Sequence, residues 1–230
     1  MKAVFFDVDF TLIHPGATFD GPGYRSFAAR HGLSIDPDRY AAAVAAAAPV
    51  LDVGDDPSYR PELFVRYVRR LLEAMGGRGS GLEPCAREVY DEWAACRHFS
   101  LYDDVRPALR GLHERGLRLG LISNTHRCLD SFQSHFELDA FIAAAVSSSD
   151  HGYMKPHPSI FEAALGELGV TAGEAVMVGD SVAHDVAGAR QLGMRAVLLD
   201  RSGRTAAGDH DVPVISTLLE LADVIASNRL

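Results

Sequence analysis

Four short segments of this chain combine residue types and spacings that can do chemistry. In Asp7-Val8-Asp9-Phe10-Thr11, two carboxylates lie one residue apart, directly behind an apolar run. If Asp7 points into a crevice it can attack an electrophile, with Asp9 close enough to exchange a proton with the leaving group. The same pair can also simply end a strand in a turn. In Ser123-Asn124-Thr125, a hydroxyl and backbone N–H groups at a strand-to-helix turn can grip phosphate oxygens, or Ser123 and Thr125 can cap a helix. Around Lys155, Pro156 and Pro158 restrict the backbone, so the ammonium can be held beside an anion to offset repulsion between two negative reactants; a solvated lysine is the alternative. Gly179-Asp180-Ser181 with Asp185 supplies two further carboxylates, able to bind Mg²⁺ through oxygen or to complement a helix dipole.

The elements that must position these segments are legible as apolar runs. Ala3–Phe6, Leu117–Ile122, Ala144–Val146, Ala175–Val178 and Ala196–Leu199 are rich in Val, Ile, Leu, Ala and Phe, as strands covered on both faces are. Helical patterns lie between them. Asp104–Arg115 puts Val105, Leu109 and Leu112 on one stripe before Gly116, Pro158–Leu168 opens on a proline, and Val182–Leu192 stops at Gly193. Thr217 and Glu220 have capping-box spacing before a last helix. Strands alternating with helices predict an α/β fold, a doubly wound parallel sheet. The four segments then fall on strand or loop ends at one edge of that sheet, where such folds bind ligands.

From about His14 to Phe99 no convincing strand is visible. Helical stretches at Tyr24–His31, Pro37–Ala48, Pro61–Met75 and Pro84–Cys96 are separated by Gly and Asp clusters. A helical insertion after the first strand is expected, with hinges near Pro15–Thr18 and His98–Asp103. The expected domains are therefore 1–14 with 100–230 as core, and 15–99 as insertion.

Composition limits the classes. Of 230 residues, 47% are hydrophobic and 23% charged, and the formal net charge is -9. That balance disfavours charge-driven binding to nucleic acid or anionic membrane. Cys85, Cys96 and Cys128 form no CxxC pair, and the start is too short in apolar residues for a signal peptide. A reduced, cytoplasmic protein is expected.

With its four segments in this order, the chain resembles the haloacid dehalogenase superfamily. The resemblance covers the residues up to His14 and from about Leu101 to the end; the insertion matches the family's small helical cap in position and size. It implies a Rossmann-like core and Mg²⁺-dependent hydrolysis of a phosphate monoester on a small metabolite. Asp7 is implied as nucleophile and metal ligand. Asp9 is implied as acid and base, its backbone carbonyl touching the metal. Ser123, with Asn124 beside it, is implied to hold phosphate, Lys155 to neutralise charge, Asp180 to complete the protein's ligands and Asp185 to orient the groups around the metal. A phosphomutase would use the same residues. A 2-haloacid dehalogenase would lack the acid–base Asp9, and a non-catalytic binding module would have no need to keep Asp7, Asp9, Lys155 and Asp180 together. One position departs from the family pattern: Phe10 stands where a glycine is usual.

Other residues read as structural. His126, His151, His157 and His184 lie in or near motif loops without zinc-like spacing. Arg66, Arg69 and Arg70 form a solvated helix face, and Asp52, Asp55 and Asp56 an exposed turn.

Overall fold

A computed structural model describes residues 1–52, 54, 56–203 and 211–227. Asp55 lies outside the described residues. The strands are β1 (Ala3–Phe6), β2 (Ile13–Pro15), β3 (Phe99–Leu101), β4 (Arg118–Ser123), β5 (Ile142–Ser147), β6 (Ala175–Gly179), β7 (Arg195–Leu199) and β8 (Val214–Ile215). The α-helices are α1 (Gly21–Arg30), α2 (Tyr40–Ala47), α3 (Pro61–Ala74), α4 (Leu82–Trp93), α5 (Val105–Glu114), α6 (Leu129–His135), α7 (Ser148–His151), α8 (Pro158–Leu168), α9 (Ala187–Gln191) and α10 (Leu221–Ala226). The chain divides into two compact units, Met1–His14 with Leu101–Leu230, and Pro15–Ser100.

In the first unit, six strands form one sheet in the order β5-β4-β1-β6-β7-β8. Every pairing between neighbours is parallel, as expected of a doubly wound core. Every residue of β1 and β6 is buried, which is why both read as unbroken apolar runs rather than alternating ones. Below one face, Ala3 and Phe5 of β1 share a core with Ile160, Phe161, Ala164 and Leu165 of α8. The helix α8 begins at Pro158, whose missing N–H costs nothing at that position, and ends on Gly169 in the left-handed conformation. Strand β1 pairs β4 on one side and β6 on the other, so connections diverge there and the crevice at its carboxyl end is open to a ligand.

Two short strands, β2 and β3, pair in a separate two-stranded sheet. They overlap the ends of the stretch that the apolar pattern leaves without strands. Each has three residues, too few for a period to show. Helices α6 and α7 and the two-residue β8 have no counterpart among the expected elements; the expected Val182–Leu192 helix begins as a π-helical turn, Val182–Val186, before α9.

The Pro15–Ser100 unit is helical. Helix α3 packs on α2 and α4 and buries Leu63, Val65, Val68, Leu71 and Leu72. An aromatic cluster closes one end, with the Phe19 ring centroid 4.6 Å from that of Trp93 and 5.6 Å from that of Phe99. Arg69 pairs with Glu73 and Glu83, and Arg70 with Glu73; these two guanidinium groups serve the helical surface itself. All three cysteines are free thiols, and among the described residues no helix is long and apolar enough to cross a membrane.

Two contacts shape the loop behind β1. Phe10 has φ 64°, and its N–H donates to the Ile13 carbonyl at 2.7 Å. A left-handed turn at a bulky residue is strained, whereas a glycine would adopt it freely. Arg201 holds the same loop from the end of β7. Its Nη2 donates to the Thr11 carbonyl (2.8 Å) and to Asp104 Oδ1 (2.9 Å), with Nη1 donating to Asp104 Oδ2 (3.0 Å). Asp104 also accepts from Thr217 Oγ1 (2.7 Å) and the Leu218 N–H (2.8 Å). Burial alone would raise its pKa, but the bonds from Arg201, Thr217 and Leu218 prevail and hold it below the usual carboxylate value.

Two outcomes follow. Phe10→Gly should be more stable than Phe10→Ala by about 1 kcal/mol in chemical denaturation, the reverse of the ordinary order of these residues. Asp104→Asn should be less stable than the parent protein. Because the folded pKa is depressed, that stabilisation is complete above the unfolded carboxyl value of about 3.9 and is lost as pH falls through the folded one. Thermal melts at neutral pH and in strong acid should therefore show the gap between the two proteins closing in acid.

Candidate active site

The sheet register brings the carboxyl ends of β1, β4 and β6 level. Phe6 is matched with Leu121 of β4 and Val178 of β6, so Asp7 just past β1, Ser123 at the end of β4 and Asp180 just past β6 lie at one edge of the sheet. The Asp7 N–H still donates to the Val178 carbonyl at 2.9 Å, which fixes its backbone before the loop begins.

A buried lysine joins two of these carboxylates. Lys155 Nζ donates to Asp7 Oδ1 at 2.6 Å and to Asp185 Oδ1 at 2.6 Å, and all three residues are buried. Burial would lower the pKa of Lys155, but Asp185 and Asp7 reverse the shift, so the ammonium stays charged. At Asp7 burial dominates and the pKa rises, with Lys155 opposing and Asp185 adding to the rise. The lysine's backbone is clamped as firmly as its side chain. Asn124 Oδ1 accepts from the Lys155 N–H (2.7 Å), and Asn124 Nδ2 donates to the Lys155 carbonyl (3.0 Å). Asn124, expected at the substrate, thus directs both amide groups to the lysine loop. Ser123 is buried at the end of β4, paired in register with Ser147 of β5.

Asp180 completes an acidic group. One ligand atom each from Asp7, Asp180 and Asp185 lies within 4.8 Å of the others. Loss of hydration, then repulsion from Asp7 and Asp185, pushes the Asp180 carboxyl up to about 7. The residue as a whole is solvent-exposed, so repulsion within the crowded trio is the part of this shift that the distances support directly. Three carboxylates against one ammonium leave uncompensated negative charge on hard oxygen donors, the chemistry that fits Mg²⁺. Asp185 is set by its turn: Oδ2 accepts from the Ser181 N–H at 3.0 Å, and Gly179 leaves it room. A Cβ on Gly179 would sit 2.1 Å from Asp185 Oδ2.

Asp9 stands apart from that trio. Its carboxylate is met by Arg127, whose Nη1 is 3.2 Å from Oδ1 and 3.2 Å from Oδ2. Burial raises the Asp9 pKa and Arg127 opposes the rise. Arg127 is a site residue that sequence reading missed. An arginine four positions after Ser123 carries no mark that separates it from a surface arginine, yet its side chain is 1% exposed. A cavity of about 310 Å³ next to the acidic group is lined by Phe10, Tyr102, Asp180, Val182 and Arg201 among others. The motif-loop histidines have local partners: His157 Nδ1 and His151 Nε2 each lie 2.7 Å from Ser159 Oγ, and His184 Nδ1 lies 3.2 Å from Ser181 Oγ.

Known proteins share this sequence pattern and fold. The family model described as haloacid dehalogenase-like hydrolase matches residues 1–193. A glyceraldehyde 3-phosphate phosphatase from Methanothermobacter thermautotrophicus is 27% identical, over 98% of this chain and 100% of that protein. The crystal structure of a HAD phosphatase from Thermococcus onnurineus has a TM-score of 0.69 and 26% identity, covering 100% of both chains. That of a 2-haloacid dehalogenase from Pseudomonas syringae has a TM-score of 0.65 and 28% identity, covering 99% of each.

Gly179→Ala gives a direct check on the carboxylate arrangement. The added methyl group must displace Asp185 from Lys155, and an overpacked site of this kind costs about 1–3 kcal/mol. A lower melting temperature is expected; an unchanged melt would show that Asp185 is held less tightly than the contacts imply.

Proposed function

Since the chain belongs to the haloacid dehalogenase-like hydrolase family, we propose that it is a magnesium-dependent phosphatase acting on a small phosphate monoester through an aspartyl-phosphate on Asp7. The observation that carries this reading is the buried Asp7–Lys155–Asp185 bridge, with Asp180 beside it and Asp9 held separately. Asp7, Asp180 and Asp185, with the Asp9 backbone carbonyl, would hold Mg²⁺, which when bound neutralises phosphate charge and draws it to the nucleophile.

The chain's own residues do the rest. Lys155 offsets repulsion between Asp7 and the incoming dianion, and Ser123 holds a phosphate oxygen. Asp7 Oδ attacks phosphorus while the bond to the leaving oxygen breaks and Asp9 delivers its proton there. Water then attacks the phosphorus on Asp7, Asp9 takes the water's proton, and the bond to Asp7 breaks to restore the carboxylate. Asp9 favours phosphorus over carbon chemistry, because an alkoxide leaves only with a proton whereas a halide needs none. The Pro15–Ser100 unit is proposed as the cap that selects the leaving group, with Phe10 narrowing the choice. The proposed partner is a small phosphorylated metabolite rather than nucleic acid or membrane, and the proposed compartment is the cytoplasm.

Phosphate release from a panel of phosphorylated metabolites, with Mg²⁺ or a chelator, tests the reading. Release that the chelator abolishes is expected, and Asp7→Asn should lose at least about 1000-fold in kcat while melting like the parent. Substrate conversion in which phosphate returns to the sugar would point to a mutase. No phosphate release from a folded protein would overturn the proposal.

A further inference from the structure

We propose that Arg127 is a positioning residue for Asp9, holding it clear of the other cations and stabilising the charge that Asp9 acquires as the leaving group departs. This rests on the phosphatase reading and adds to it a residue that sequence reading passed over.

The geometry carries the inference. The Arg127 backbone is pinned by its own turn, its N–H donating to Thr125 Oγ1 at 3.0 Å, and both residues are buried. The guanidinium is equally buried, and taking such a cation out of water is costly unless its charge is used. Its Nη1 lies 3.2 Å from both oxygens of Asp9, a charge-assisted contact that fixes the carboxylate's direction. Asp7 has a different cation, Lys155, at 2.6 Å. Each catalytic carboxylate therefore has its own positive partner. Without Arg127, the Asp9 carboxylate would be drawn toward Lys155 or toward a bound metal, and away from the leaving oxygen.

The contact also matters to the first chemical step. As the phosphorus–oxygen bond breaks, its electron pair passes to the leaving oxygen, which takes the proton of Asp9. The Asp9 carboxylate thus gains negative charge in the transition state, and Arg127 meets that charge already in place. The benefit is large where the leaving oxygen needs a proton, as in an alkyl phosphate. It is small for an aryl ester such as p-nitrophenyl phosphate, whose leaving group departs as a stable anion.

The test is kcat/KM for an alkyl phosphate that the enzyme accepts and for p-nitrophenyl phosphate, in the magnesium-loaded protein. Arg127→Met should lose about 100-fold on the alkyl ester, within the range of general acid catalysis, and only about fivefold on the aryl ester. Arg127→Lys, which keeps the charge, should recover about tenfold of the alkyl loss. In an Asp9→Asn background, Arg127→Met should cost nothing further, since the two act as one unit. If Arg127→Met fails to fold, Arg127→Lys and the double variant, which leaves no unpaired buried charge, decide the matter. Equal losses on both esters, or an undiminished loss in the Asp9→Asn background, would show a merely structural role and overturn the inference. A wild-type protein hydrolysing neither ester would overturn the phosphatase reading, and this inference with it.

Discussion

The Lys155 ammonium sits between Asp7 and Asp185 at 2.6 Å from each, sealed from water. An ion triad in that position is unforgiving. Removing the lysine would leave two buried carboxylates facing each other without a cation, at a typical cost of about 3–5 kcal/mol. The surrounding chain is therefore organised around the lysine. Asn124 clamps its backbone from both sides, Ser181 orients Asp185, and Gly179 is bare because a methyl group there would strike Asp185. The loops that follow β4 and β6, and the lysine loop itself, are thereby locked to one another, which no single loop could achieve alone.

The triad accounts for one cation and two anions, and the arrangement is completed by charge. Asp180 adds a third carboxylate to the same group, so the trio repels itself at neutral pH and favours a divalent cation. Asp9 still feels Asp7 and Lys155, but the cation in contact with its carboxylate is Arg127. The two carboxylates of the first segment thus have different cations in contact, Lys155 for Asp7 and Arg127 for Asp9. This division suits a reaction in which two carboxylates separated by one residue must do different work.

The loop that carries Asp9 is held in a less comfortable shape. Phe10 adopts a left-handed backbone that glycine would take freely, and the residue remains 45% exposed beside the 310 Å³ cavity. Arg201, just past the carboxyl end of β7, steadies the loop from the same edge of the sheet while resting over the Tyr102 ring at 3.8 Å. Strain of this kind persists only where the surrounding structure over-determines it, and here the contacts of Arg201 and of the Phe10 N–H do so.

Much of this was determined by the sequence alone. The unbroken apolar runs of β1 and β6 read as strands buried on both faces, and the alternation with helices pointed the four polar segments to one edge of a parallel sheet. Pro158 and Gly169 bounded α8, and the Thr217–Glu220 spacing located a helix start, because caps and breakers act through the residues beside them. What the tertiary structure decided was everything that depends on contacts distant in sequence. Arg127 lies 118 residues from Asp9, and no local pattern marks it as buried. The Asn124 amide meets the Lys155 backbone 31 residues away, a contact that no local pattern announces. The strands β2 and β3 are too short to show a period, and exist because they pair with each other. Local sequence specifies conformation and the ends of elements; which charge faces which is settled only when the sheet is assembled.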